Sequence, residues 1–295
     1  MAIIRGTNGA DALRGTLDAD VIFGFDGNDT IHAKARDDTV LGGAGDDHVL
    51  GELGNDWLIG GTGNDALTGG QGDDYLSGGA GQDQLIGLEG DDICYGGTGN
   101  DFLGGGPGDL LYGGAGDDTI FCGNVDFYTA GWLFGGSGND SLRGGFGVDH
   151  LQGGAGGDLF DPGVDRFDDP RHADYIDMGD DQVPDRLTAI VQPRRLGSRE
   201  AGGLGIDVVR NFREEDELSI FAQSRDRFGY DAGDYLDSDR NGVIDAADLD
   251  VRQEGRNLVL DIDAMIDRVS GAPQEYGVQH VVLIGITSFA ADQIL

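Results

Sequence analysis

From Gly6 to Asp161 the chain repeats a nine-residue phrase, Gly-Gly-x-Gly-x-Asp-x-U-x, in which U is large and apolar. Gly60-Gly61-Thr62-Gly63-Asn64-Asp65-Ala66-Leu67-Thr68 is one clean copy, and Gly69-Gly70-Gln71-Gly72-Asp73-Asp74-Tyr75-Leu76-Ser77 is the next. The tripeptide x-U-x reads as a very short strand with U pointing inward and its neighbours outward. The other six residues read as a turn whose glycines permit positive φ and close backbone approach. Two phrases then make one coil of two strands and two turns, and the turns stack in two columns.

In such a turn carbonyl oxygens can converge on one point, and the sixth-position Asp adds an anionic oxygen. Hard oxygen donors of this kind suit a cation of calcium's size. Without a cation the stack is disfavoured. Aspartates one strand spacing apart, about 4.8 Å, repel by about 0.9 kcal/mol per pair even at water's dielectric. Glycine-rich turns also lose much entropy on ordering, and three-residue strands bury little to offset it. The metal must therefore contribute folding free energy.

The tandem phrase resembles the RTX, or hemolysin-type, family of secreted bacterial calcium-binding proteins, over just over half the chain. The resemblance implies an all-β fold, a right-handed parallel β-roll. It also implies multiple calcium ions, each between turns adjacent within a column and so shared by repeats n and n+2. Type I secretion machinery is the implied partner during export, through an uncleaved C-terminal signal, to a location outside the cell.

Eleven repeats run without a gap, starting at Gly6, Gly15, Gly24, Ala33, Gly42, Gly51, Gly60, Gly69, Gly78, Gly87 and Gly96. The twelfth, Gly105 to Tyr112, is one residue short; the thirteenth starts at Gly113. Cys122 to Phe134 reads as a fourteenth repeat with a lengthened turn and no sixth-position Asp, and three more start at Gly135, Gly144 and Gly153. The expected inward row runs from Leu13 through Ile22, Ile31, Val40 and so on to Phe160, with Cys94 as a small apolar member.

Sorting repeats into odd and even exposes an asymmetry. Every odd repeat keeps its first and fourth glycines and its Asp, at Asp11, Asp29, Asp47, Asp65, Asp83, Asp101, Asp118, Asp140 and Asp158. Only Asp56, Asp74, Asp92 and Asp149 sit in intact even turns. The turn of Asp20 has Asp18 in place of the fourth glycine. That of Asp38 reads Ala33-Lys34-Ala35-Arg36-Asp37-Asp38, that of Asp109 is shortened, and the fourteenth has Gly131 in place of Asp. The expectation is one continuous ion column and one interrupted column, in which Lys34 or Arg36 replaces a missing ion's charge. All sixteen aspartates are candidate metal ligands. Among outward residues, Tyr95, Phe102 and Tyr112 are read as a stripe. It would serve an extracellular polysaccharide or surface partner, or else simply reflect strand propensity and packing.

The chain of 295 residues divides into the roll at 1–161, an irregular connector at 162–205 with a strand at Leu187 to Val191, and a C-terminal domain at 206–295. Ile206 to Phe212 and Asp216 to Ile220 resemble the capping segment after RTX rolls in serralysin-type proteins. A polar-edged cap is what an open solenoid end needs. Within this domain 237–248 matches an EF-hand loop. Its ligands would be Asp237, Asp239, Asn241, the Val243 carbonyl, Asp245 and Asp248, with Gly242 at the sharp turn and Asp in place of the usual final Glu. The last residues resemble type I export signals, although Gln293 departs from the usual acidic residue.

Charge and motifs restrict function. Fifty-five acidic residues against 19 basic give a net charge of −36, which argues against nucleic acid and anionic membranes. No run spans a bilayer, and Met1 to Arg5 has no apolar leader segment. Two cysteines and five histidines form no zinc spacing and no His-Glu-x-x-His pair. There is no Gly-x-Ser-x-Gly elbow and no phosphate loop with Gly-Lys-Ser/Thr. The expected function is a non-enzymatic, exported calcium-binding protein with a structural or interaction role. The alternative is a polysaccharide-active enzyme or a carbohydrate-binding accessory module.

Overall fold

A computed structural model describes residues 1–123, 130–145, 147–163, 174–179, 181 and 183–191. It also gives the backbone of strands Ile206–Arg210, Glu217–Ala222, Val243–Asp245, Val251–Glu254, Asn257–Asp261, His280–Ile284 and Ser288–Ala290. Every regular element among these residues is a strand. No helix among them is long and apolar enough to cross a membrane.

The nine-residue period becomes two facing parallel sheets. Even repeats build one, beginning Ile3–Arg5, Val21–Asp26, Thr39–Ala44 and Trp57–Thr62; odd repeats build the other, beginning Ala12–Arg14, Thr30–Ala35 and His48–Leu53. Register follows from arithmetic on the sequence. Partners in intact coils are 18 residues apart, as in Val40 opposite Leu58. The offset drops to 17 at Cys94 opposite Leu111, where the twelfth repeat is short. It rises to 22 at Leu111 opposite Leu133, across the lengthened turn. Insertions and deletions are absorbed in turns, so U stays opposite U.

The expected inward row is the core. From Ile22 to Phe160 every member is buried, Cys94 included, while Leu13 at the first coil is partly covered. Cys94 and Cys122 are both free and buried. Each coil supplies two large apolar side chains to a single-file core, a narrow source of hydrophobic free energy at about 25 cal/mol per Å². A short edge strand caps the first coil: Ile3–Arg5 pairs with Val21–Phe23.

The two ladders do not stop at Asp161. Tyr175–Asp177 pairs in parallel with His150–Gln152, and Arg186 and Leu187 pair with Leu159 and Phe160. Ile176 and Leu187 enter the core row. Past them, Ile206–Arg210 extends one sheet and Glu217–Ala222 the other. The strand expected at Leu187 to Val191 is present as Arg186–Val191, and Tyr175–Asp177 is a second strand of the roll's own pattern in the region read as an irregular connector. Its period was hidden because the steps lengthen to 25 residues (His150 to Tyr175) and 27 residues (Leu159 to Arg186).

The outward aromatic stripe differs from expectation. Tyr95 and Tyr112 do stack, with centroids 4.7 Å apart, and Phe134 continues the row at 4.6 Å. Trp57 and Tyr75 extend it at the other end. Phe102 is on the opposite sheet, against Phe121, because it belongs to an odd repeat. Within the row each ring covers its neighbour's face, so these aromatics largely satisfy one another.

Candidate metal sites in two turn columns

The sixth-position Asp does two jobs with its two oxygens. Its Oδ1 accepts the backbone N–H of the equivalent residue two repeats earlier. Asp47 donates to Asp65 at 2.8 Å and Asp65 to Asp83 at 2.8 Å. In the other column Asp56 donates to Asp74 at 2.7 Å and Asp74 to Asp92 at 2.8 Å. The odd ladder is unbroken from Asp11 through Asp29, Asp101, Asp118, Asp140 and Asp158 to Asp185. The even ladder runs from Asp20 through Asp38 to Asp109, and then from Gly131 through Asp149 to Asp174. Asp174 and Asp185 were missed in the sequence; the signal that marks them is the local Asp-x-U-x, in Asp174-Tyr175-Ile176-Asp177 and Asp185-Arg186-Leu187-Thr188.

The second oxygen is different. Twelve Oδ2 atoms are buried with no hydrogen-bond partner: those of Asp29, Asp38, Asp47, Asp56, Asp65, Asp74, Asp83, Asp92, Asp101, Asp118, Asp140 and Asp158. A buried anionic oxygen without a partner is costly, and a repeated one calls for a ligand. The first glycine of each phrase explains where that ligand belongs. A Cβ on Gly24 would overlap both Asp29 Oδ2 and the carbonyl oxygen of Gly42, one coil on. Gly42 stands in the same relation to Asp47 Oδ2 and Gly60 O, and Gly51 to Asp56 Oδ2 and Gly69 O. A carboxylate oxygen of one turn and a carbonyl oxygen of the next therefore converge beside the first glycine, and a side chain there would intrude on that spot.

Burial raises the affinity of these carboxyls for protons. It pushes Asp65, Asp74, Asp109, Asp118 and Asp158 up to about 7, and Asp38, Asp56, Asp83, Asp92 and Asp140 up to about 6. The N–H bonds to Oδ1 oppose the shift, and the neighbouring aspartates add to it. Asp20 is the exception. Burial pushes it up, but hydrogen bonds from Thr16 and Ala2 outweigh that and hold it below the usual carboxylate range.

The second and fourth glycines have backbone reasons. Gly61 and Gly63 lie at φ 121° and 124°, and a Cβ on either would overlap the equivalent carbonyl of the preceding coil. At five positions where the sequence departs from glycine the turn keeps its shape, whereas Thr7, Thr16 and Asp18 in the first two turns do not take up positive φ. Phe25, Lys34, Arg36, Glu52 and Leu88 hold positive φ, between 68° and 92°. At Lys34, Arg36, Glu52 and Leu88 in the even column the departure thus costs local strain rather than the turn itself, while the turn of Asp20 is reshaped.

A further ladder escaped the sequence reading. Where the residue before the Asp is Asn or Asp, it can lend its side-chain oxygen to the coil that follows: Asn28 Oδ1 accepts from the Asp46 N–H at 3.0 Å, and Asp46 Oδ1 from the Asn64 N–H at 2.8 Å. Asn64, Asn100, Asp117 and Asn139 continue it. Asn and Asp at this place hold coils in register from the solvent side.

The donor set fits calcium. Among the described residues no three His, Cys, Asp or Glu side chains gather at one point. Twelve turns contribute one free carboxylate oxygen each, and backbone carbonyls are the other oxygens at hand. This is an all-oxygen set without sulfur or imidazole, suited to a hard cation that accepts neutral carbonyls. Of the EF-hand-like ligands, Asp237, Asp239, Asn241 and Asp248 lie outside the described residues. Val243–Asp245 is a strand paired antiparallel with Ser288–Ala290.

Stacked parallel coils with one carboxylate per glycine turn define the class: a calcium-binding parallel β-roll. The family model for the RTX calcium-binding nonapeptide repeat matches residues 5–35, 32–67, 68–103, 104–124 and 129–163. The chain therefore belongs to the RTX calcium-binding repeat family. Among solved structures it is similar to the extracellular lipase LipA from Serratia marcescens, at 16% identity and a TM-score of 0.18. The match covers 94% of this chain and 45% of that one, so the chain spans under half of that protein's length. No curated protein matches the sequence.

Proposed function

We propose that this calcium-binding protein is exported unfolded by type I machinery and folds outside the cell, where calcium is abundant, to serve a structural or interaction role at the exterior. The observation that carries this reading is the set of twelve buried Oδ2 atoms without a protein partner. With calcium scarce, each of these twelve turns would bury an unsatisfied anion beside others of its column, and the single-file core is too thin to offset twelve such costs. With calcium present the same oxygens acquire a counter-charge, and binding free energy becomes folding free energy. A net charge of −36 works in the same direction, since it disfavours the compact chain until cations offset it.

The sites that would hold calcium are the turns of the sixth-position aspartates, with the EF-hand-like loop at 237–248 as a separate proposed site. The test is far-UV circular dichroism of the full chain during calcium titration from a chelated sample. A cooperative coil-to-β transition that magnesium does not reproduce is the expected result. A β signal already complete in chelator would remove the basis for calcium-gated folding.

A further inference from the structure

The two columns are chemically unequal in a way that the repeat phrase alone does not set. In the odd column, eight consecutive turns from Asp29 to Asp158 carry an unpartnered, buried Oδ2. In the even column only Asp38, Asp56, Asp74 and Asp92 do. The even turns of Asp20, Asp109 and Asp149 are closed by the N–H of their own second residue, as the odd turn of Asp11 is at the first coil, and that of Gly131 is closed by a thiol.

Asp20 Oδ2 accepts the Thr16 N–H at 2.6 Å and the Thr16 hydroxyl at 2.8 Å. Asp109 Oδ2 accepts the Gly106 N–H at 2.7 Å in the shortened turn. Asp149 Oδ2 accepts the Gly145 N–H at 2.7 Å. At the fourteenth repeat the two key positions are exchanged. Cys122 stands where the first glycine belongs and Gly131 where the Asp belongs, and a Cβ on Gly131 would lie 2.5 Å from Cys122 Sγ. The thiol thus fills the space a carboxylate takes elsewhere, and it donates to Gly106 O at 2.9 Å.

The upstream end is closed as well. The turn of Asp38 has the buried Ala33 in place of the first glycine, so a methyl group stands where other turns leave an open spot. Beside it the Lys34 ammonium donates to Gly15 O at 2.5 Å, a first-position carbonyl of the kind that faces the open spot in intact turns. Arg36, by contrast, is solvated and reaches Asp18 only at 4.0 Å.

Resting on the calcium-binding reading, we propose that calcium loads the columns asymmetrically. The odd column takes ions along its whole length from Asp29 to Asp158. The even column takes them only at the turns of Asp56, Asp74 and Asp92, and the chain's own N–H, ammonium, methyl and thiol groups occupy the rest. An oxygen that already accepts an N–H has the partner that a cation would otherwise supply, and a site that holds a methyl or thiol has no room for one.

Anomalous difference maps from crystals of the full chain grown with calcium test this directly. The expected result is a row of calcium peaks along the odd column, a short row beside Asp56 to Asp92, and none beside Asp20, Asp109, Gly131 or Asp149. Peaks of equal number in both columns, or any peak at Asp109 or Asp149, would overturn the asymmetry while leaving calcium binding intact. No calcium in either column would overturn both. Equilibrium dialysis of the full chain supplies a solution check: Asp83→Asn should lose bound calcium and Asp149→Asn should not. Equal losses would count against the proposal.

Discussion

Cys122 Sγ sits 2.5 Å from the point where a Cβ on Gly131 would be, and the Cys122 Cβ lies 2.9 Å from that point. In every intact turn the crowding runs the other way, with the carboxylate pressed against the first glycine, as Asp140 Oδ2 is against Gly135. The fourteenth repeat keeps the sum of side-chain volume and reverses its order.

The reversal predicts a size-swap cycle. Gly131→Ala should destabilise the calcium-loaded chain by about 1–3 kcal/mol through overpacking. In a Cys122→Gly background the same substitution should cost much less, because the opposing atoms are gone. Chemical unfolding of the four variants in saturating calcium gives the coupling energy. Additive effects would mean that the two residues do not share one space.

Leu88 offers a test of backbone strain. It holds φ 88° at a second-glycine position and is 53% exposed, opposite Gly70. A non-glycine residue in that region costs about 1–3 kcal/mol. Glycine gives back about 0.5–1 kcal/mol through unfolded-state entropy. Leu88→Gly should therefore stabilise the roll by up to about 1–2 kcal/mol. The opposite change, Gly70→Ala, places a Cβ against Glu52 O and should destabilise it markedly. Thermal unfolding with calcium present measures both.

These two cases show what the sequence revealed. Nine-residue phasing was enough to place the inward apolar row from Ile22 to Phe160, because one phrase maps onto one strand and one turn; it did not mark Ala33 and Cys122, first-position residues buried with that row. It did not reveal that Asp Oδ1 is committed to a backbone N–H and only Oδ2 is left for a metal. That division depends on the coil two repeats away. Asp174 and Asp185 were lost for a different reason: intervening insertions hid the period, while pairing in three dimensions ignores loop length. The damaged even turns looked broken because Lys34 and Arg36 replace glycines. The structure keeps the turn and places the Lys34 ammonium on a backbone carbonyl.

Lys34 is the only lysine in the chain, so its role can be probed by chemistry as well as mutation. Lys34→Met keeps the bulk and backbone strain but removes the bond to Gly15 O. A hydrogen bond from a charged group contributes about 1.5–3 kcal/mol, and the variant should lose an amount of that order. On the proposal that this turn holds no ion, the loss should be independent of calcium concentration once the other sites are filled. Unfolding at two saturating calcium levels checks it. A deficit that extra calcium repairs would show that the turn accepts an ion after all.

Acidity gives the last test, and its sign is the reverse of ordinary acid denaturation. Asp65, Asp74, Asp118 and Asp158 are pushed up by burial to about 7 in the folded roll, from an ordinary value of 3.8. A carboxyl whose folded value is raised binds its proton more tightly when folded. Its contribution to stability is fully present below pH 3.8 and is lost as pH rises through about 7. The calcium-free chain should therefore gain β structure between pH 7.5 and about 5, as protons neutralise the stacked carboxylates. Calcium should reverse the slope, because its ligands must be deprotonated and protons compete with it. Circular dichroism against pH, in chelator and in saturating calcium, should give curves of opposite slope over this window. Parallel curves would mean that the buried aspartates are not what links folding to the cation.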